Sequence, residues 1–307
     1  MKPTRQAIHG VLLLDKPLGL TSQNAVWRVR KALGAQKAGH SGTLDPLATG
    51  LLPVCLGAAT KFAQANLEAD KTYQVGITLG QTRVGGDLEG EVIQERRVNV
   101  TGEQLQQAIR AFTGPISQVP PMQSALKHQG KPLYAYARAG QTVERMARQV
   151  VIHRLTLLSR EGPILQLQVH CSKGTYIRTL GEDIGQALGC GAYLASLRRT
   201  QSGAFDQTDC VSLDAFEQAQ ERQREGYLLP VASLLKGYEP ITLGQADAGR
   251  FLSGLRRRGD WPDHPRVVVF GDQPHTLLGT AHVQSGELIP DRLLNPQEIQ
   301  SMIESAA

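Results

Sequence analysis

The chain has 307 residues and a mass of 33.3 kDa, about twice the usual single-domain length, and its 41% apolar content excludes a disordered, fibrous or collagen-like protein. Basic residues number 33 against 28 acidic; positions from 237 onward hold six basic and nine acidic, so the excess lies in 1–236, with 27 against 19. No apolar run approaches the roughly 18 residues of a membrane span, and the run at 11–14 is too short for a signal peptide and is stopped by Asp15 and Lys16.

A buried strand is predicted over 10–14, followed by the turn Asp15-Lys16-Pro17-Leu18-Gly19. A helix then starts at Thr21 or Ser22 and stops at Gly34, with Ala25, Val26, Val29, Ala32 and Leu33 as its apolar stripe. Residues 39–53 are punctuated by glycine and proline, with too few periodic apolar positions for a long element. Tyr73, Val75, Ile77 and Leu79 alternate with Gln74, Gly76 and Thr78, the pattern of a half-buried strand. Leu165, Leu167, Val169 and Cys171 alternate in the same way. After Ser172-Lys173-Gly174-Thr175 the period turns helical, with Ile177, Leu180, Ile184 and Leu188 on one stripe and Gly189 as the stop. Beyond 237, runs at 266–270 and 275–283 predict a small β-rich domain of about 70 residues. Strands mixed irregularly with helices argue for an α+β fold, with no internal repeat.

The richest stretch is Gly39-His40-Ser41-Gly42-Thr43-Leu44-Asp45-Pro46-Leu47-Ala48-Thr49-Gly50. It is no hydrolase elbow, because Thr43 stands where the last glycine of Gly-x-Ser-x-Gly belongs. Taken locally, Asp45 followed by Pro46 reads as a helix N-cap and first helical residue, and His40 as a loop histidine bonded to backbone. Arg178 is more unusual. It falls in the first turn of a predicted helix, where the macrodipole disfavours a cation unless a carboxylate or phosphate faces it. Tyr73 and Tyr176 read by default as packing aromatics.

Residues 122–150 hold Lys127, Lys131, Arg138, Arg145 and Arg148 against Glu144 alone, with Tyr134 and Tyr136 among them. That is the composition of an RNA-gripping loop; the plain alternative is the solvated face of a helix hairpin. Arginine supplies 23 of the 33 basic residues, the side chain suited to phosphate forks. Cys55, Cys171, Cys190 and Cys210 are far apart, with no Cys-x-x-Cys pair, so reduced thiols in a cytoplasmic protein are expected, without a zinc site. Cysteine and histidine are too scattered for any metal, and no glycine-rich phosphate loop occurs. An enzyme without metal or nucleotide cofactor is the expectation.

These blocks resemble the bacterial tRNA pseudouridine-55 synthases of the TruB type. The resemblance rests on the 10–19 and 38–53 stretches, Gly57-Ala-Ala-Thr-Lys61, Asp70-Lys-Thr-Tyr73, Ser124-Ala-Leu-Lys127 and Cys171-Ser-Lys-Gly-Thr-Tyr176-Ile-Arg178. It runs in order from about residue 8 to 235 and continues weakly to about 295. It implies an α+β pseudouridine synthase fold, with a mixed, mostly antiparallel sheet flanked by helices over 1–236. It also implies a small PUA-like C-terminal β domain over 237–307. By position it makes Asp45 the catalytic nucleophile, Arg178 its ion partner and Tyr73 the ring stacked on the target base. His40 would fill space left by the flipped base, and Tyr176 and Leu197 would line the substrate pocket. The implied partner is the TΨC loop and elbow of tRNA, acted on by a monomer with no membrane and no cofactor.

One departure stands out. Where the family shows Thr-Asp-Thr-x-Asp, this chain has Thr82-Arg83-Val84-Gly85-Gly86-Asp87, so Arg83 replaces the first acid and Asp87 keeps the second. Two competing readings remain: a tRNA-binding module that assists folding, for which the basic surface would suffice, and the same isomerisation on another RNA. Asp45 and Arg178 occurring together favour the enzyme.

Overall fold

In the computed structural model, which describes residues 6–306, contacts group the chain into two compact units. One unit comprises Met1–Asp45, Leu52–Glu68 and Thr208–Ala307; the other comprises Pro46–Leu51 and Ala69–Gln207.

The second unit is built on a mixed sheet. Strand Ala192–Ser202 runs parallel to the start of strand Ala48–Leu56, pairing Leu197 with Ala48. On its other side it pairs antiparallel with Lys71–Leu79, and Ile164–Cys171, Arg148–Glu161 and Gly114–Gln118 follow, each antiparallel to its neighbour. Helices Gly102–Ala111 and Ile177–Ala187 cover one face. Their Leu105, Ile109, Ile177, Leu180 and Ile184 pack on the inward alternation Val75, Ile77, Leu79, Leu165, Leu167 and Val169. The two strands read from alternation are therefore where they were expected. Arg148–Glu161 and Ala192–Ser202 complete the sheet.

The nine-residue strand Ala48–Leu56 corrects the expectation that 39–53 holds no long element. It is buried almost throughout, so it lacks the polar alternation that betrays a half-exposed strand. Gly50 belongs there for steric reasons. Its φ is +94°, and a Cβ would sit 2.3 Å from the Arg199 carbonyl oxygen of the paired strand.

In the first unit, strand Gly10–Lys16 leads to helix Ser22–Leu33, whose N-cap is Thr21 and whose left-handed C-cap is Gly34, as the sequence predicts. The strand pairs parallel with Val211–Ser212 and antiparallel with Leu228–Leu229. The carboxyl end forms a five-stranded sheet in the order Glu239–Leu243, His264–Asp272, His275–Gln284, Glu287–Leu293, Arg257–Arg258. Phe251 of helix Gln245–Leu252 joins Val267, Val269, Leu278, Ala281 and Leu288 in a core of its own. The fold is thus α+β, with a large mixed sheet flanked by helices and a smaller C-terminal β structure. Among the described residues no helix is long and apolar enough to cross a membrane.

Candidate active site

Asp45 caps no helix. It lies half-buried in the irregular stretch between strand Ala38–His40 and strand Ala48–Leu56, so the local N-cap reading fails. The stretch is pinned from two sides. Ser22, the first residue of its helix, donates from Oγ to the Leu44 carbonyl (2.8 Å) and accepts from the Leu44 amide (2.7 Å). Ser41 donates from Oγ to Asn66 Oδ1 (2.8 Å) and from its amide to the Pro53 carbonyl (3.1 Å). Every one of these groups is shielded from water, where a lost hydrogen bond costs about 1–3 kcal/mol. His40 closes the short strand, in register with Val54, and is therefore a strand residue and not a loop one.

Tyr73, Tyr176, Arg178 and Leu197 lie in the other unit. Tyr73 pairs with Val169 on one side and Arg199 on the other, and Leu197 pairs with Val75, one pleat along. Both rest half-buried on the face covered by the helices. Tyr176 is the residue before helix Ile177–Ala187. The buried Gln118 side chain grips it at both backbone groups, accepting from its amide (3.0 Å) and donating to its carbonyl (3.3 Å).

Arg178 is buried at the helix start and holds the carboxylate that its position calls for. Nη1 meets Asp87 Oδ2 at 3.2 Å, and Nη2 donates to the Gln123 carbonyl at 2.7 Å. Asp87 sits on the 84–91 turn, and Arg83 fastens that turn. Its Nη1 donates to the carbonyls of Leu88 (3.1 Å) and Gly90 (3.4 Å), and its guanidinium lies 4.3 Å from the centre of the Tyr193 ring. The departure noted in the sequence thus closes the loop that presents Asp87. Glu182, one turn beyond Arg178, has its carboxyl pushed up chiefly by burial, with Asp183 adding to the shift.

The basic 122–150 segment is a small hairpin, Lys127–His128 with Lys131–Pro132, followed by helix Leu133–Arg138, and so is no helix hairpin. Arg145 braces its base by donating to the carbonyls of Val143 (3.1 Å) and Pro120 (3.0 Å), while Arg148 is exposed. Gln118 and Ser22 escaped the sequence reading in these roles because each side chain acts on backbone groups of a distant residue, and Gln123 because it contributes its own backbone carbonyl, which any residue carries. A further group did too. Asp70, His153 and His170, scattered in the sequence, converge so that one ligand atom from each lies within 4.8 Å of the others. The expectation that histidine is too scattered for a metal needs correcting to that extent. The cysteines are free thiols, and burial pushes Cys55 and Cys171 up to about 12.

Comparison with known proteins places these residues in a family. A model described as TruB family pseudouridylate synthase (N terminal domain) matches residues 30–177. One described as tRNA pseudouridylate synthase B C-terminal domain matches 178–236. The tRNA pseudouridine synthase B of Verminephrobacter eiseniae is 53% identical over 308 residues, covering 98% of this chain and 93% of its own. That of Ralstonia nicotianae is 53% identical over 303 residues, covering 96% of each. A solved structure described as a Cbf5-Nop10-Gar1 complex superimposes with a TM-score of 0.72 at 26% identity, over 95% of this chain and 86% of that one.

Proposed function

The chain belongs to the TruB family of pseudouridylate synthases and is a tRNA-modifying isomerase, and we propose that it converts the uridine of the TΨC loop with Asp45 as nucleophile. The observation that carries the assignment is the setting of Asp45: a half-buried carboxylate on a loop fixed by Ser22 and Asn66, with no helix to cap.

The chemistry fits a carboxylate. Pseudouridine formation breaks the bond from N1 to C1′ and makes one from C5 to C1′; C5 loses its proton and N1 gains one, so no atom is added. Attack by Asp45, at C1′ or at C6, divides that exchange into two easier steps. The base must first leave its stack, at a cost of a few kcal/mol, and stacking on Tyr73 returns about 1–3 kcal/mol. Arg178, held by Asp87, brings positive charge to the start of its helix and takes the role of ion partner that the family pattern gives it. His40 fills the vacated stack, and Tyr176 and Leu197 line the base pocket. Residues 1–236 form the catalytic portion, and the β structure of 237–307 extends the grip on tRNA.

Asp45→Asn tests this reading. Isomerisation in the TΨC loop, followed by mass spectrometry, should vanish, while tRNA retention on filters persists because other groups hold phosphates and stacked bases. Isomerisation by the variant would remove Asp45 from its role. Wild-type protein that binds tRNA and forms no pseudouridine would leave a binding module.

A further inference from the structure

Three strands on the sheet of the second unit end in a constellation that the pseudouridine chemistry does not use. Asp70 immediately precedes strand Lys71–Leu79, His170 is the penultimate residue of strand Ile164–Cys171, and His153 lies on strand Arg148–Glu161. His170 alternates with Val169 and Cys171, whose side chains enter the core, so its own ring is on the opposite face. His153 reaches that face through a β-bulge: the register slips between Ile152, opposite Cys171, and Arg154, opposite His170, leaving His153 as the extra residue. The two imidazole centroids are 5.0 Å apart, and His153 Nε2 lies 3.2 Å from Asp70 Oδ2. Asp70 is itself tied down, its carbonyl accepting from the Gly203 amide at 2.9 Å.

We propose that Asp70, His153 and His170 form a binding site for one divalent transition-metal ion of the zinc class, independent of the isomerase site. The donor set selects the ion: two imidazoles and one carboxylate suit Zn²⁺, Ni²⁺ or Cu²⁺, whereas Mg²⁺ and Ca²⁺ require oxygen ligands. The spacing fits as well. Bonds of about 2.0–2.1 Å in a tetrahedral site put neighbouring donors about 3.3 Å apart, the separation already present between His153 and Asp70.

The hydrogen bonds behind His170 prepare it as a ligand. Thr72 Oγ1 donates its one proton to Gln201 Oε1 (2.8 Å), so toward His170 Nδ1, at 3.0 Å, it acts as acceptor. Nδ1 then carries the ring proton, which leaves the lone pair on Nε2 as the one available to a metal. A ligand histidine usually donates its other ring N–H to an oxygen that fixes its tautomer and orientation, and here that oxygen is the Thr72 hydroxyl. Three protein ligands leave further positions for water.

Untagged protein titrated calorimetrically with ZnCl₂ in a non-chelating buffer should bind one equivalent saturably, and MgCl₂ should give no matching isotherm. His153→Ala and His170→Ala should each weaken Zn²⁺ binding at least about tenfold, and Thr72→Val about tenfold through the lost tautomer control. Absence of saturable Zn²⁺ binding, or binding unmoved in the double histidine variant, overturns the proposal. A test on the wild type needs no folded variant. Zn²⁺ should protect His153 and His170, but not His264 or His275, from diethyl pyrocarbonate, as read by peptide mass spectrometry. Equal labelling of His153 and His170 with and without Zn²⁺ refutes the site.

Discussion

Ser22 holds both backbone polar groups of Leu44 with a single hydroxyl, donating to the carbonyl at 2.8 Å and accepting from the amide at 2.7 Å. The contact spans 22 residues and fixes the backbone one step before Asp45. Ser22→Ala leaves a buried donor and acceptor unpaired, at a cost of about 1–3 kcal/mol. Chemical denaturation should show that loss. Pseudouridine formation should fall further than stability alone explains when assayed well below the unfolding midpoint. A fully active, equally stable variant would show that the clasp is dispensable.

Arg178→Lys keeps the charge and loses the planar fork that reaches Asp87 and the Gln123 carbonyl at once. Turnover should drop by at least about tenfold if Arg178 orients the groups of the proposed site. Turnover within about threefold of wild type would reject the role given to this pair.

Arg83 acts one step further back, by closing the turn that carries Asp87. Arg83→Ala should lower kcat about threefold to tenfold and leave KM for tRNA nearly unchanged, as expected for a group that positions another. Arg83→Lys should rescue little, because one ammonium cannot serve both carbonyls and also keep a cation over the Tyr193 ring. An unchanged kcat in Arg83→Ala would confine Arg83 to loop packing.

The two arginines at the base of the basic segment should behave differently. Arg148 is exposed, and its replacement by Ala should reduce the slope of log affinity against log salt by about one unit if it meets a phosphate. Arg145 spends two donors on the Val143 and Pro120 carbonyls. Arg145→Ala should therefore loosen the segment and weaken tRNA binding at every salt concentration, with a smaller change in slope. Equal slopes for wild type and Arg148→Ala would exclude Arg148 as a phosphate contact.

Lys71 is buried, and burial together with Arg199 pushes it down to about 8 from an ordinary 10.5. Below pH 8 both folded and unfolded chains carry the charge, and the folded one bears the full penalty. Between pH 8 and 10.5 the unfolded chain binds more protons, so this group's contribution to stability rises with pH. Lys71→Met should be more stable than wild type near neutral pH by about 1–3 kcal/mol, and that margin should narrow above pH 8. A margin constant from pH 7 to 10 would contradict the shift.

Much of this was legible in the residues. Thr21 and Gly34 bound a helix because one supplies an oxygen to an early amide and the other accepts a left-handed backbone. The alternations at 73–79 and 165–171 revealed strands with one wet face. Strand Ala48–Leu56 escaped because burial on both faces removes the alternation, and Gly50 and Pro53 look like punctuation. At the site, the isolated cation Arg178 announced a missing anion, but its partner is 91 residues away, and no local pattern names Asp87. The Asp70, His153 and His170 convergence depends on a one-residue bulge, which sequence periodicity does not encode.

The first unit draws on both ends of the chain, and this sets an order of events during synthesis. Helix Ser22–Leu33 is held by late residues: Glu217 accepts from Arg28 Nε at 2.7 Å, and Arg224 Nη1 reaches the Ala32 carbonyl at 2.7 Å. Lys61 likewise donates to the Leu293 carbonyl at 3.0 Å. At about 5–20 residues per second on the ribosome, the last hundred residues take about 5–20 s to emerge. Throughout that interval residues 69–207 already have most of their sheet partners, while helix Ser22–Leu33 still lacks its contacts with Glu217 and Arg224. The helix whose Ser22 clasps Leu44 is therefore fully braced late. A chain that ends before Glu217 would carry the Leu44 clasp on a helix without these outer braces.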